Sequence, residues 1–306
     1  MRIPALVFVL FFISCNNIFI KLYAQKDSDK PEDWENPAVF GINKLPPHAS
    51  FIPYLTKEQV IKNDPHASPF YTSLNGNWKF MLVNKPADRI VSFYTEDFDD
   101  KQWKTIPVPS NWELQGYDIP IYVNITYPHA KTPPKIQDHY NPVGSYRTHF
   151  EFNETLQHKE VILHFGAVSS AMYVWVNGQK VGYSEDSKTP AEFNITPFLK
   201  KGKNLLAVEV FRWSDASYLE DQDFWRLSGI TRDVYLLTRN KTAIRDFWAQ
   251  SGLTTDYKTG LFKLQVELQG KETNGYQIQA ELLNEKNETV YTQNQTFTNS
   301  QNQVDF

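Results

Sequence analysis

From about Phe70 onward, hydrophobic residues recur at every second position in short runs, and the runs are separated by turn residues. That period belongs to strands with one buried face, so the chain reads as β-rich. Ser73–Phe80 (SLNGNWKF) joins an Asn-Gly turn to an alternating strand. Trp103–Val108, Tyr146–Phe152 (YRTHFEF), Val161–Phe165, Met172–Val176 and Lys180–Tyr183 each read as a strand. Asn177-Gly178 accepts positive φ at low cost, which predicts a tight hairpin between the last two. Asn204–Trp213 (NLLAVEVFRW) is a nearly continuous apolar strand, and Arg232–Leu237 follows a loop. No stretch of residues 70–238 sustains a helical period. Residues 70–239 are therefore expected to fold as one all-β sandwich.

The flanking segments differ. Residues 25–69 are rich in Pro, Lys, Asp and Asn and read as an extended arm lying over a domain surface. Asp33-Trp34-Glu35-Asn36-Pro37 places a tryptophan in that arm, and it needs somewhere to bury. In residues 240–306, Ile244–Trp248, Leu261–Leu268, Tyr276–Leu283 and Thr289–Phe297 alternate again. Four strands fall short of the roughly seven of an immunoglobulin-like sandwich, so this second domain is expected to be incomplete. The final SQNQVDF reads without a closing feature.

Residues 1–24 read as a secretory signal: Arg2, an apolar run from Ala5 to Ile13, then Leu22-Tyr23-Ala24 before a polar stretch. Export follows, most naturally to the periplasm of a Gram-negative cell. The rival reading takes Phe12-Ile13-Ser14-Cys15 as a lipoprotein signal with Cys15 lipidated. Cys15 is the sole cysteine, so no disulfide framework is expected.

Net charge is −4 with both signs interspersed, which excludes a nucleic-acid or anionic-membrane footprint. There is no GxSxG, HExxH, Walker or dinucleotide-glycine pattern, and the seven histidines lack metal-ligand spacing. Phe211–Val234 (FRWSDASYLEDQDFWRLSGITRDV) stands apart because it sets five carboxylates among four aromatic rings besides Phe211. Rings favour burial, whereas carboxylates resist it unless paired, hydrogen-bonded or metal-bound. The loop is either an acidic turn or a partly buried ligand site suited to sugars. Glu185, Asp186, Asp215, Glu220 and Asp221 could converge as hard oxygen ligands for magnesium, calcium or sodium.

Several long motifs then carry a resemblance. Asp33–Pro37 (DWENP), Ser73–Trp78 (SLNGNW), Val108–Trp112 (VPSNW), Gly116–Pro128 (GYDIPIYVNITYP), Val181–Tyr183 (VGY), Arg212–Asp215 (RWSD) and Asp223–Arg226 (DFWR) resemble the amino-terminal part of bacterial β-galactosidases of glycoside hydrolase family 2. The resemblance runs from about residue 33 to 240 and continues more faintly beyond. It implies a jelly-roll, galactose-binding-like sandwich followed by part of an immunoglobulin-like one. The family's (β/α)8 barrel, with its acid/base and nucleophile glutamates, has no counterpart in this chain, so no catalytic residue is expected here.

By the same resemblance, Asn124 and Asp223 would hydrogen-bond galactosyl hydroxyls, and Asp223 would help hold a sodium ion. A structural magnesium would be held by Asp33, Asn36, the Val39 carbonyl, Glu185 and Asp215, with Glu185 replacing the family's usual Gln. Trp213 and Trp225 become packing residues rather than a stacking platform. The implied function is the sugar-binding portion of an enzyme that removes terminal non-reducing β-D-galactosyl residues. The full-length family forms homo-oligomers. The chain alone is expected to be inactive and to bind little free sugar. The alternatives are a stand-alone carbohydrate-binding module and a structural β-sandwich scaffold.

Overall fold

In chain order the strands are β1 (Gly41–Ile42), β2 (Tyr71–Ser73), β3 (Gly76–Val83), β4 (Lys104–Val108), β5 (Ile121–Val123), β6 (Val143–Phe152) and β7 (Glu160–Phe165). Next come β8 (Val168–Ser169), β9 (Ala171–Val176), β10 (Gln179–Ser184), β11 (Ala191–Asn194), β12 (Gly202–Phe211), β13 (Phe224–Arg226) and β14 (Gly229–Ile230). The last are β15 (Val234–Arg239), β16 (Ala243–Leu253), β17 (Gly260–Gln269), β18 (Gln277–Leu283), β19 (Thr289–Thr296) and β20 (Gln303–Asp305). These come from a computed structural model that describes residues 31–152, 158–220, 222–270, 273–298 and 303–305. The signal segment with Cys15, the start of the arm and Asp221 lie outside the described residues. Asp33–Phe306 forms one compact unit.

Two antiparallel sheets make the larger sandwich, in the orders β1-β10-β9-β12-β6-β3-β4 and β11-β7-β15-β2. The alternation read from the sequence is realised strand by strand. On β12, Leu206, Val208 and Val210 point between the sheets, where they join Trp78, Phe80, Tyr146, Leu163, Phe165, Val174 and Phe193. The intervening Ala207 and Phe211 face outward, into a second apolar cluster with Trp34, Phe93, Trp103, Tyr173, Trp175 and Tyr183. β12 thus lacks polar alternation because both of its faces are covered. Trp34, the tryptophan of the arm, stacks on Phe211 with ring centroids 4.3 Å apart. Burying a ring of that size stabilises by about 4 kcal/mol, which fixes the arm at the end of β12.

The turns follow their chemistry. Asn177 and Gly178 both have positive φ (49° and 79°) and close the predicted β9–β10 hairpin. Asn75-Gly76 does something else. β2 pairs with β15 while β3 pairs with β4 and β6, so this turn carries the chain from one sheet to the other. Asn75 fastens that corner by accepting from Val234 N at 2.9 Å and donating to Asp233 at 2.9 Å. Gly144 allows a close approach: a Cβ there would stand 2.6 Å from Trp112, the buried tryptophan of the PSNW motif.

Two expectations need correction. The arm is not wholly extended, because Lys57–Lys62 forms an α-helix, α1. Thr56 caps it by accepting from Gln59 N, and Gln59 Oε1 reaches one residue further back to accept from Leu55 N at 3.0 Å. The terminal SQNQVDF also contributes a strand: β20 pairs with β17, and Val304 is buried. The second sandwich therefore shows five described strands, in a β16-β17-β20 sheet and a β18-β19 hairpin, around Val266, Leu268, Phe297 and Val304.

Arm, jelly roll and second sandwich meet at one clasp. His48 Nε2 and His164 Nδ1 each lie 2.8 Å from a different oxygen of Glu192. His48 Nδ1 is 2.7 Å from the Ala49 carbonyl, and Ala49 N donates to Asp246 of β16 at 2.8 Å. Both His48 nitrogens face acceptors, so the ring is bound as the doubly protonated cation. The hydrogen bond to Glu192 accordingly raises the His48 pKa, with Asp246 adding a smaller pull. Glu192 is drawn down to about 2 by its two histidines despite its burial.

The signs follow. Glu192 contributes stability above its unfolded value near 4.5, and that contribution is lost as pH falls toward 2. His48 contributes fully below 6.5, and that contribution is lost as pH rises through its raised folded value. Urea-unfolding stability should therefore decline from pH 6 to pH 8, and His48→Gln should flatten that decline while costing about 1–3 kcal/mol at pH 6.

Candidate sugar-binding site

The Phe211–Val234 loop is built around a buried cation. Arg212 directly follows β12 and is 1% exposed. Its Nη1 binds the Asp118 carboxylate and donates to Tyr140 Oη at 3.2 Å. Nη2 donates to the carbonyls of Ile119 at 3.0 Å and Arg226 at 3.4 Å, and lies 3.8 Å from Glu113. Tyr140 donates to the other Asp118 oxygen, and burial with that bond pushes its phenol up to about 12. Next along the chain, the Asn141 amide pairs with the Trp213 backbone in both directions, at 2.9 and 3.0 Å. Arg212 thereby draws together the segment leading into β5 and the end of β13.

Those two strands form a ribbon in the register Phe224↔Val123, Trp225↔Tyr122 and Arg226↔Ile121. One further step of the same register sets Asp223 opposite Asn124. The two residues singled out by motif are 99 positions apart in sequence, and the ladder brings them to one ribbon end. Both are exposed. Tyr122 donates its hydroxyl to Asp223 Oδ1, fixing the carboxylate. Trp225 is 56% exposed and stands beside Tyr122, with ring centroids 5.6 Å apart. Trp213 is buried, as expected of a packing residue, and Trp225 is not. The alternation within DFWR could have distinguished them, since β13 turns Trp225 away from the face that covers the core.

A separate acidic group lies at the wall of a groove of about 970 Å³ between the arm and the jelly roll. Glu185, Asp186, Asp215 and Glu220 all line it. Both Asp215 carboxylate oxygens are buried. Glu185, which takes the Tyr183 hydroxyl, is driven up to about 9 by burial and by Asp215 and Glu220. Glu220 is satisfied by Ser187 N and Oγ, at 2.7 and 2.6 Å. Asp33 is held by Tyr173 Oη at 2.8 Å and by Lys180 at 3.8 Å. Asn36 caps its own turn by accepting from Ala38 N at 3.3 Å, and Val39 packs against the outer apolar cluster. Glu185 and Asp215 are thus together, Asp33 and Asn36 sit in the neighbouring turn, and Asp223 is not part of this group. Among the described residues no three His, Cys, Asp or Glu side chains converge as a metal cage.

The sequence profile of "Glycosyl hydrolases family 2, sugar binding domain" matches residues 71–240, more than half of the chain. The chain belongs to that family. It is 45% identical over 250 residues to a β-galactosidase of Priestia megaterium, covering 80% of this chain and 24% of that protein. It is 42% identical over 260 residues to a β-galactosidase of Vibrio cholerae, covering 85% of this chain and 25% of that protein. The chain therefore spans about a quarter of the length of these curated relatives and corresponds to the N-terminal region of the family's β-galactosidases. Among solved structures, a family 2 glycosyl hydrolase from Bacteroides cellulosilyticus superposes with a TM-score of 0.58 at 22% identity, covering 77% of this chain and 30% of that one. A β-glycosidase from Bacteroides vulgatus gives 0.57 at 23%, covering 74% and 28%. At those identities the likeness is one of fold.

Sequence motifs gave roles to Asn124 and Asp223 at the tip of this sugar-binding domain but none to Arg212 or to the phenol of Tyr122, although both lie within the quoted motifs. Removing Arg212 strands Asp118 and Glu113 in a dry environment. Arg212→Met should cost about 3–5 kcal/mol in urea unfolding, whereas Tyr122→Phe, at an exposed pair, should leave the unfolding midpoint essentially unchanged.

Proposed function

We propose that this chain is the N-terminal sugar-binding portion of a β-galactosidase, in which Asn124 and Asp223 grip the hydroxyls of a terminal non-reducing β-D-galactosyl unit. The observation that carries this reading is the β5–β13 register, which sets an amide opposite a carboxylate on one open ribbon end. A carboxylate accepts from sugar hydroxyls, while an amide both donates and accepts, so the pair can read two neighbouring hydroxyls at once. The Tyr122 hydroxyl keeps one Asp223 oxygen occupied and leaves the other for a ligand. The relatives' name supplies the galactoside. A retaining glycosidase needs two carboxyl groups about 5 Å apart across the scissile bond, and among the described residues this ribbon end offers Asp223 alone. The chain's own part is binding and orientation, with hydrolysis assigned to the rest of the enzyme.

The reading extends to metals. Asp223 would take a sodium ion by its free oxygen. The buried Asp215 carboxylate, which shares a proton with Glu185 when no cation is bound, suits a hard cation, so a magnesium ion fits there, with Asp33, Asn36 and the Val39 carbonyl as the remaining candidate ligands. Bound magnesium would supply structural charge neutralisation, tying the DWENP turn to the loop after β12. The signal reading of residues 1–24 adds that the protein works outside the cytoplasm.

A second reading, a stand-alone carbohydrate-binding module, draws on the exposed Tyr122 and Trp225 rings. Three results separate and test these readings. The purified chain should hydrolyse no aryl β-galactoside; turnover abolished by Asp223→Ala would overturn the division of labour. Calorimetry should show binding of methyl β-D-galactoside no tighter than about 1 mM, equivalent to roughly 4 kcal/mol. Micromolar affinity would favour the module. Millimolar magnesium should raise the melting temperature of EDTA-treated protein by roughly 2–6 °C, and Asp215→Ala should remove that gain.

A further inference from the structure

The ribbon that presents Asp223 has a second face. Side chains alternate along β13, so Asp223 and Trp225 share one side while Gln222, Phe224 and Arg226 close a different cavity behind it. That cavity has a volume of about 350 Å³, near the lower end of the small-molecule range. Its walls combine flat apolar surface from Phe224, Leu227 and Pro128 with Lys188, Trp213 and serine hydroxyls.

Among the described residues, the donors of its wall that lack close partners outnumber such acceptors. Lys188 Nζ lies 3.5 Å from Ser169 Oγ, the outer limit of a hydrogen bond, and 5.5 Å from the centroid of the Phe224 ring. Trp213 is 5% exposed, and its Nε1–H is buried without an acceptor among the described residues; the same holds for Nε of Arg212. Among the described residues, the two carboxylates in the wall are already engaged. Glu220 takes Ser187 N and Oγ, and Asp186 takes the Thr189 hydroxyl and Lys188 N. Burial lowers the Lys188 pKa, with Glu220 opposing, as expected for an ammonium short of close partners. A ligand completing this cavity must bring acceptors, preferably charged ones, on a body with an apolar face.

We propose that the cavity is a second binding site, for an organic carboxylate of about monosaccharide size. The carboxylate meets the Lys188 ammonium, and the body lies against Phe224, beside the Trp213 ring. This site is separate from the Asn124–Asp223 ribbon end and does not depend on the function proposed for it.

The probe is sodium galacturonate, read on the indole N–H resonance of Trp213 in the full chain. That resonance is assigned by its loss in Trp213→Phe. Galacturonate should move it saturably, and Lys188→Met should weaken the titration at least about tenfold, the scale of one charge-assisted hydrogen bond. Lys188 makes no short hydrogen bond through its ammonium, so the variant should keep the remaining spectrum. Asp223→Ala should leave the titration unchanged; loss of the shift in that variant would mean relay from the ribbon end and would overturn the proposal. An equal shift from galactose, or from sodium chloride at matched ionic strength, would overturn it as well. So would an unchanged affinity in Lys188→Met.

Discussion

The structure depends on the guanidinium of Arg212 more than on any other single group. A fully buried cation is tolerated only when its surroundings supply acceptors in the right places. Here they come from distant parts of the chain: Asp118 and Glu113, the Ile119 carbonyl before β5, and the Arg226 carbonyl at the end of β13. Exchanging Arg for Lys would lose this planar fork with its several donors. The same residue that closes the core strand β12 therefore fixes where the β5–β13 ribbon starts, and the ribbon register fixes what its tip presents.

From that anchor the two sides of the ribbon take separate chemistries. One side is open and carries an amide, a carboxylate and two exposed rings. The other closes a cavity with unspent donors. The acidic group at Glu185 and Asp215 belongs to a third place, where the arm crosses the sandwich. Proximity in the sequence conceals this separation, because Asp215 and Asp223 lie within nine residues of one another. A 3-10 turn at Asp215–Tyr218 and the short strand β13 send them in different directions.

Much of the fold was legible because alternation with period two is a direct image of one-sided burial. The second half of β6 was readable in this way; β7 and β9 were readable as short apolar runs buried on both faces, and the Asn177-Gly178 hairpin from its turn residues, whose φ values only a few residues accept. The helix α1 was missed because six residues carry too little periodicity, although Thr56 offered an N-cap. β20 was missed because three residues in a polar context give almost no pattern; its core contribution rests on Val304 alone. The role of Asn75-Gly76 was hidden for another reason, since the same dipeptide serves a hairpin or a corner depending on which strands pair.

The candidate site was half legible. Long motifs brought out Asn124 and Asp223, but residue chemistry alone could not show that they face each other, because strand pairing across 99 positions leaves no local trace. Arg212 was given no role either: it lay at the end of an apolar strand and within RWSD, and nothing local shows that its acceptors converge from Asp118, Ile119 and Arg226. The most direct test of the account follows the side-chain amide of Asn124 by NMR during titration with methyl β-D-galactoside. The account predicts a saturable shift of that amide, abolished by Asp223→Ala. An amide that stays silent while the sugar binds, or a shift that survives Asp223→Ala unchanged, would contradict it.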